Sequence, residues 1–225
     1  MKKKGFFFAL AMLLLLGSGN LWATPVMLNE VGVNPSAVVP VTIPGLGTLS
    51  VLAGEYILDI QGWGTFAGFC VDPVYSPTTY QQYYLNPVPD EINYERAAYL
   101  FSKYGSAFTG STNQAIAANV QLAIWELMFE TNGTFNTSDG GFKVNNSGWA
   151  ASSQLYVGEA ELADLSSFHP NQDGIIVAMN PQAGYGTGYQ DYMIRAVPEP
   201  SSLLLLGSGF VGLGLWGRRK FKARS

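Results

Sequence analysis

Cys70 is the only cysteine among 225 residues, so this chain must fold without an internal disulfide. That is a strong constraint, because both of its ends read as export signals and small exported domains lean heavily on disulfides. Lys2, Lys3 and Lys4 precede an apolar run over residues 6–16, with Ala23 as a small residue at a cleavage point. This is the order of a secretory signal peptide over residues 1–23. A retained anchor is the other reading, but the run is short for a membrane span, which takes ~20 residues. Near the other end, Pro198-Glu199-Pro200 breaks the chain and residues 201–216 are apolar and uncharged. Arg218, Arg219, Lys220, Lys222 and Arg224 then follow. That order predicts a short C-terminal membrane helix whose basic flank stays cytoplasmic, with the body outside.

Residues 24–196 remain as a single extracellular domain, long enough for a real core. Most basic residues lie in the two ends. The body keeps only Arg96, Lys103, Lys143 and Arg195 against fifteen acidic residues, a formal charge of −11 where the whole chain carries −4. Such a surface repels phosphate backbones, which argues against nucleic acid as a partner. Solubility outside the cell is the plainest use of that charge.

β-branched residues punctuated by Gly and Pro over residues 25–60 predict strands at residues 38–44, 48–52 and 55–60, the first two joined at Gly45-Leu46-Gly47. After the turn at Gly62-Trp63-Gly64, residues 65–71 read as a strand that carries the cysteine. Residues 72–90 are rich in Pro and Tyr and predict a long surface loop, with Tyr75, Tyr80, Tyr83 and Tyr84 as a potential binding surface. Helices are expected at residues 93–103 and after a capping pair of Ser111 and Gln114. In the second helix Ile116, Val120, Ala123 or Ile124, and Leu127 recur at helical spacing. Residues 131–148 predict a loop or exposed hairpin, residues 149–165 a weaker third helix, and residues 174–179 and 189–196 closing strands. The class is α+β: a β-rich domain, sandwich or barrel-like, with a central insertion of two to three helices.

The C-terminal pattern resembles the PEP-CTERM tail of Gram-negative bacteria: Pro198-Glu199-Pro200, an apolar helix and a basic cluster over residues 197–225. The resemblance implies that an exosortase recognises the Pro-Glu-Pro segment, removes the tail and releases the protein to the cell surface or extracellular matrix. Before that processing the C-terminal helix holds it in the membrane. Such tails are associated with exopolysaccharide and biofilm.

The body resembles bacterial surface thioester domains at two motifs. Phe69-Cys70-Val71 matches their aromatic-Cys-aliphatic motif. Val120-Gln121-Leu122-Ala123-Ile124-Trp125 matches their second, an apolar residue, Gln, two variable positions and two apolar residues, with Val120 where Thr is common. The resemblance implies an internal thioester between Cys70 and Gln121, formed with loss of ammonia, and a covalent adhesin that couples to a protein amine or a polysaccharide hydroxyl. It implies single-turnover acyl transfer, not an enzyme. Motif neighbours Phe69, Val71, Val120, Ala123, Ile124 and Trp125 would shelter the bond.

The residues support that expectation independently. A glutamine flanked by Val120, Leu122, Ala123, Ile124 and Trp125 is headed for burial, where its carboxamide needs partners. Glu126 and Asp72 are near the motifs in sequence and are candidates for proton transfer. Plainer readings stand beside this one. Cys70 can be an ordinary core cysteine or link two copies by a disulfide. A cysteine hydrolase would need His169, the sole histidine, as its base. A non-covalent matrix protein binding exopolysaccharide through its tyrosines is the alternative function. No cofactor is expected, and the acidic residues around Asp139-Gly140-Gly141 lack calcium-loop spacing, so no metal is expected either.

Overall fold

A long ribbon opens the fold. β1 (Pro25–Ile43) and β2 (Gly47–Ile60) run antiparallel from Leu28↔Ile60 to Ile43↔Gly47. The turn joining them places Gly45 and Gly47 at φ of 80° and 76°, a region that favours glycine. The computed structural model describes residues 25–72, 80–105, 114–130, 133–181 and 189–195. The predicted signal peptide, the sorting tail with Pro198, Glu199, Pro200, Arg218 and Arg219, and Ser111 and Tyr75 lie outside these residues.

The remaining strands are β3 (Gly64–Cys70), β4 (Gln81–Pro87), β5 (Lys143–Val144), β6 (Ile175–Met179) and β7 (Tyr192–Arg195). All pairings are antiparallel, and they close on themselves: β1 to β2, β3, β7, β6, β4 and back to β1. β5 adds to the far end of β1 through Val41↔Val144. Of the two expected architectures, the pairing is the barrel-like one, and closure leaves few free strand edges.

Three helices follow the expectation: α1 (Ile92–Tyr104), α2 (Gln114–Phe129) and α3 (Ser147–Leu162). Asn146 caps α3 by accepting from the backbone N–H groups of Gly148 and Trp149. The expected cap of α2 at Ser111 lies outside the described residues; the Gln114 side-chain nitrogen reaches the Ser36 carbonyl of β1. Lys103 of α1 and Glu159 of α3 form an ion pair at 2.6 Å, and the Tyr104 hydroxyl donates to the same carboxylate.

α2 is buried on every side from Ala117 to Leu127, as a helix apolar all round must be. Ala118, Leu122 and Trp125 join the barrel cluster of Val26, Leu28 and Leu58. Val120, Ala123, Ile124 and Leu127 join a second cluster with Phe69, Leu100, Phe101, Val157 and Met193. Gln121 falls at the seam between these two stripes.

Two expectations are corrected. Residues 72–90 are not one surface loop, because β4 lies within them and pairs with both β1 and β6. Tyr83 and Leu85 alternate inward there and Tyr83 is fully buried, which removes it from any exposed tyrosine surface. Proline marks the end of this strand, at Pro87, and so does not exclude it. Of the loop or exposed hairpin expected over residues 131–148, the loop holds over residues 133–142 and the exposed hairpin does not, since Thr137 and Phe142 are buried and β5 pairs with β1.

Candidate functional site

The β2–β3 ladder ends at Tyr56↔Gly68, two residues before Cys70. On its other side β3 still pairs with β7, at Cys70↔Tyr192. The backbone N–H and C=O of Cys70 therefore need other partners, because buried peptide groups are rarely left unpaired. Gln121 supplies both. The Cys70 N–H donates to Gln121 Oε1 at 2.9 Å, and Gln121 Nε2 donates to the Cys70 carbonyl at 2.7 Å. One carboxamide thus substitutes for a neighbouring strand's peptide, across 51 residues of sequence.

Cys70 and Gln121 both have no exposed surface. Around them Phe69, Val120, Ala123 and Ile124 are also fully buried, and Val71 nearly so. The motif residues named from sequence are therefore brought together in one dry layer between β3 and α2. The Cys70 thiol donates to the Asp72 carbonyl at 2.9 Å.

The electrostatics favour an uncharged sulfur. Burial pushes the Cys70 thiol well above its ordinary value. The Trp125 indole N–H acts in the opposite direction, while the charges of Asp72 and Glu30 add to the rise. Among the described residues that buried indole nitrogen has no partner of hydrogen-bond geometry, although it stands close enough to favour a thiolate. A free thiolate is costly here, whereas a neutral thiol or thioester is not.

Glu30 lies in neither sequence motif, yet it belongs to this site. It continues the inward row of Val26 and Leu28 on β1. The Tyr192 hydroxyl donates to its Oε2 at 2.8 Å and lies 3.0 Å from Gln190 Oε1. Burial raises the Glu30 carboxyl above its usual range, and the Tyr192 hydrogen bond partly offsets this. The signal was present: an acid in the inward register of an otherwise apolar strand row.

Glu126, by contrast, serves a different place. Its Oε1 accepts the Asn136 N–H at 2.6 Å, and its other oxygen is buried without a hydrogen-bond partner among the described residues. It holds the loop after α2 and is not among the groups acting on Cys70. Burial raises its carboxyl to about 7, above an ordinary 4.5. The folded state then binds a proton that the unfolded chain has released, so stability falls as pH rises from about 4.5 to 7. Glu126→Gln keeps an acceptor for Asn136 and removes that charge. It should stabilise the protein at pH 8 by on the order of 1–3 kcal/mol and have little effect at pH 4, as read from urea denaturation at the two pH values.

His169 lines a separate hollow of about 370 Å³ with Asp90, Glu95 and Phe168, and it is not among the groups acting on Cys70. Among the described residues, no three His, Cys, Asp or Glu side chains converge as a metal ion would require. Among those residues, no helix is long and apolar enough to cross a membrane.

Residues 196–220 match the family described as PEP-CTERM protein-sorting motif. The chain therefore carries an exosortase sorting signal, the mark of an exported protein that is held transiently in the membrane and then processed. No curated protein and no solved structure matches the chain.

Proposed function

We propose that this exported protein is a covalent adhesin in which Cys70 and Gln121 join as an internal thioester. The observation that carries this reading is the clasp of the Gln121 carboxamide on the Cys70 backbone, inside a layer without solvent. Reacting groups held in a near-attack geometry gain an effective concentration of ~10⁵–10⁸ M over the same groups free in solution. Attack of the Cys70 sulfur on the Gln121 carbonyl carbon forms the S–C bond. The C–N bond breaks, and the thiol proton leaves with the nitrogen as ammonia. Negative charge develops on Oε1 during attack, where the Cys70 N–H already donates. The surrounding apolar side chains then keep water from the product.

An outside amine or hydroxyl opens the thioester. It bonds to the Gln121 carbonyl carbon, sulfur leaves, and the thiol is restored. With an amine the product is an amide, a permanent tether to a surface partner. On this reading the body is the adhesive part and the tail places it at the surface or in a matrix.

A second reading has its own support. Both polar atoms of the Gln121 carboxamide are already satisfied by Cys70, and the thiol by Asp72. That is also how a purely structural clasp would look, in a matrix protein that binds without covalent chemistry. Peptide mapping after incubation with methylamine separates the two. The adhesin reading expects the amine on Gln121 in the unmodified protein and none in Cys70→Ser; Gln121 left unlabelled in both supports the clasp.

A further inference from the structure

Beside the Cys70–Gln121 layer is a hollow of about 250 Å³, lined by Glu30, Ser50, Leu52, Tyr56, Trp125 and Gln190 among others. Ser50 and Leu52 are exposed, whereas Tyr56, Trp125 and Gln190 are buried, so it leads inward from the surface. Cys70 does not line it. The inner wall is Tyr56 and Trp125, and both interact with the sulfur. Trp125 also stands one helical turn from Gln121. Trp125 thus belongs both to the wall of this hollow and to the surroundings of the Cys70 sulfur.

Among the described residues, Glu30 is the only charged side chain in the lining. Its position is built by the strand: it occupies the inward row of β1, and the register shifts immediately after it, between Glu30 and Gly32. Val31, the extra residue, is turned out to 60% exposure. Bulges of this kind commonly re-aim side chains beside sites of chemistry. Tyr192 holds the carboxylate from β7, while Tyr56, Tyr83 and Cys70 are the other titratable groups that feel its charge. Among the described residues no lysine or arginine forms an ion pair with it. A half-buried carboxylate without a cation is costly to maintain. That cost is understandable if the cation arrives with the reaction partner.

Resting on the thioester reading, we propose that this hollow is the approach path for the attacking group and that Glu30 makes it selective for a primary ammonium, such as a lysine side chain, over a hydroxyl. The ammonium enters against the Glu30 carboxylate and gives it one proton. The neutral amine then attacks the Gln121 carbonyl carbon, the C–N bond forms and the C–S bond breaks. The amine's second proton goes to the departing sulfur, leaving an amide, a Cys70 thiol and a protonated Glu30 that returns its proton to water. The Trp125 N–H, which has no hydrogen-bond partner among the described residues, supports the sulfur as it leaves.

The test compares two nucleophiles on the full-length protein in mild detergent, by the rate of adduct formation at Gln121. Methylamine is almost wholly protonated at neutral pH, whereas hydroxylamine is largely uncharged. Glu30→Gln should slow methylamine capture by about tenfold or more and hydroxylamine capture by less than about threefold. Ser50→Arg, at the exposed mouth, adds a cation that is not a nucleophile, and should slow methylamine by about threefold while sparing hydroxylamine. Equal slowing of both nucleophiles, or unchanged methylamine rates, overturns the proposal. If Glu30→Gln fails to form the thioester, Ser50→Arg decides alone. An unmodified protein that retains its ammonia removes the thioester itself, whereas ammonia loss with unselective capture removes only the role of Glu30.

Discussion

Gln121→Ala should lower folding stability by roughly 3–6 kcal/mol, a large share of the ~5–15 kcal/mol that holds a typical domain. In the protein without a thioester, the substitution strips partners from the Cys70 N–H and C=O together. Each buried group left unpaired costs about 1–3 kcal/mol, and the lost side-chain volume adds a cavity term. In the protein with a thioester the cause differs but the size is similar. A cross-link across a loop of 51 residues restrains the unfolded chain by about 4 kcal/mol on the loop-entropy model used for disulfides. Gln114→Ala provides the contrast. Its bond to the Ser36 carbonyl is exposed, and the loss of that bond should cost less than about 1 kcal/mol. Urea denaturation of the three proteins measures this directly, and equal midpoints for Gln121→Ala and Gln114→Ala would contradict it.

Cys70→Ala should abolish amine capture completely, because no other residue supplies the sulfur. Its effect on stability is the more informative part. The clasp from Gln121 uses the backbone of residue 70, which alanine retains, so only the thiol's packing is lost. Cys70→Ala should therefore match, to within about 1–2 kcal/mol, an unmodified protein whose thioester has been opened by methylamine. Against the intact thioester it should fall short by about 4 kcal/mol more. A purely structural clasp predicts a single small difference and no effect of methylamine on the unfolding midpoint.

The parts of this site differ in how far the sequence reveals them. Cys70 and Gln121 are legible because two short motifs carry them, and because a glutamine inside Val120–Trp125 has nowhere polar to go. The burial of α2 is legible for the same reason. Glu126 misleads because it is close to Gln121 in sequence. Five residues along a helix is about 140° around it, enough to turn Glu126 toward the Asn136 loop. β4 is hidden by Pro and Tyr, whose loop-like composition masks the inward alternation of Tyr83 and Leu85. Glu30 and Tyr192 meet only because the barrel closes, bringing together residues 162 apart. No local pattern encodes that encounter.

The thioester itself is decided by the intact mass of the purified full-length protein, compared with Cys70→Ala and Gln121→Ala prepared alongside. The unmodified chain should weigh one ammonia less than its sequence requires, and both variants should show their full masses. An unmodified chain at full mass, with a Cys70 thiol that titrates freely after unfolding, would contradict the covalent reading.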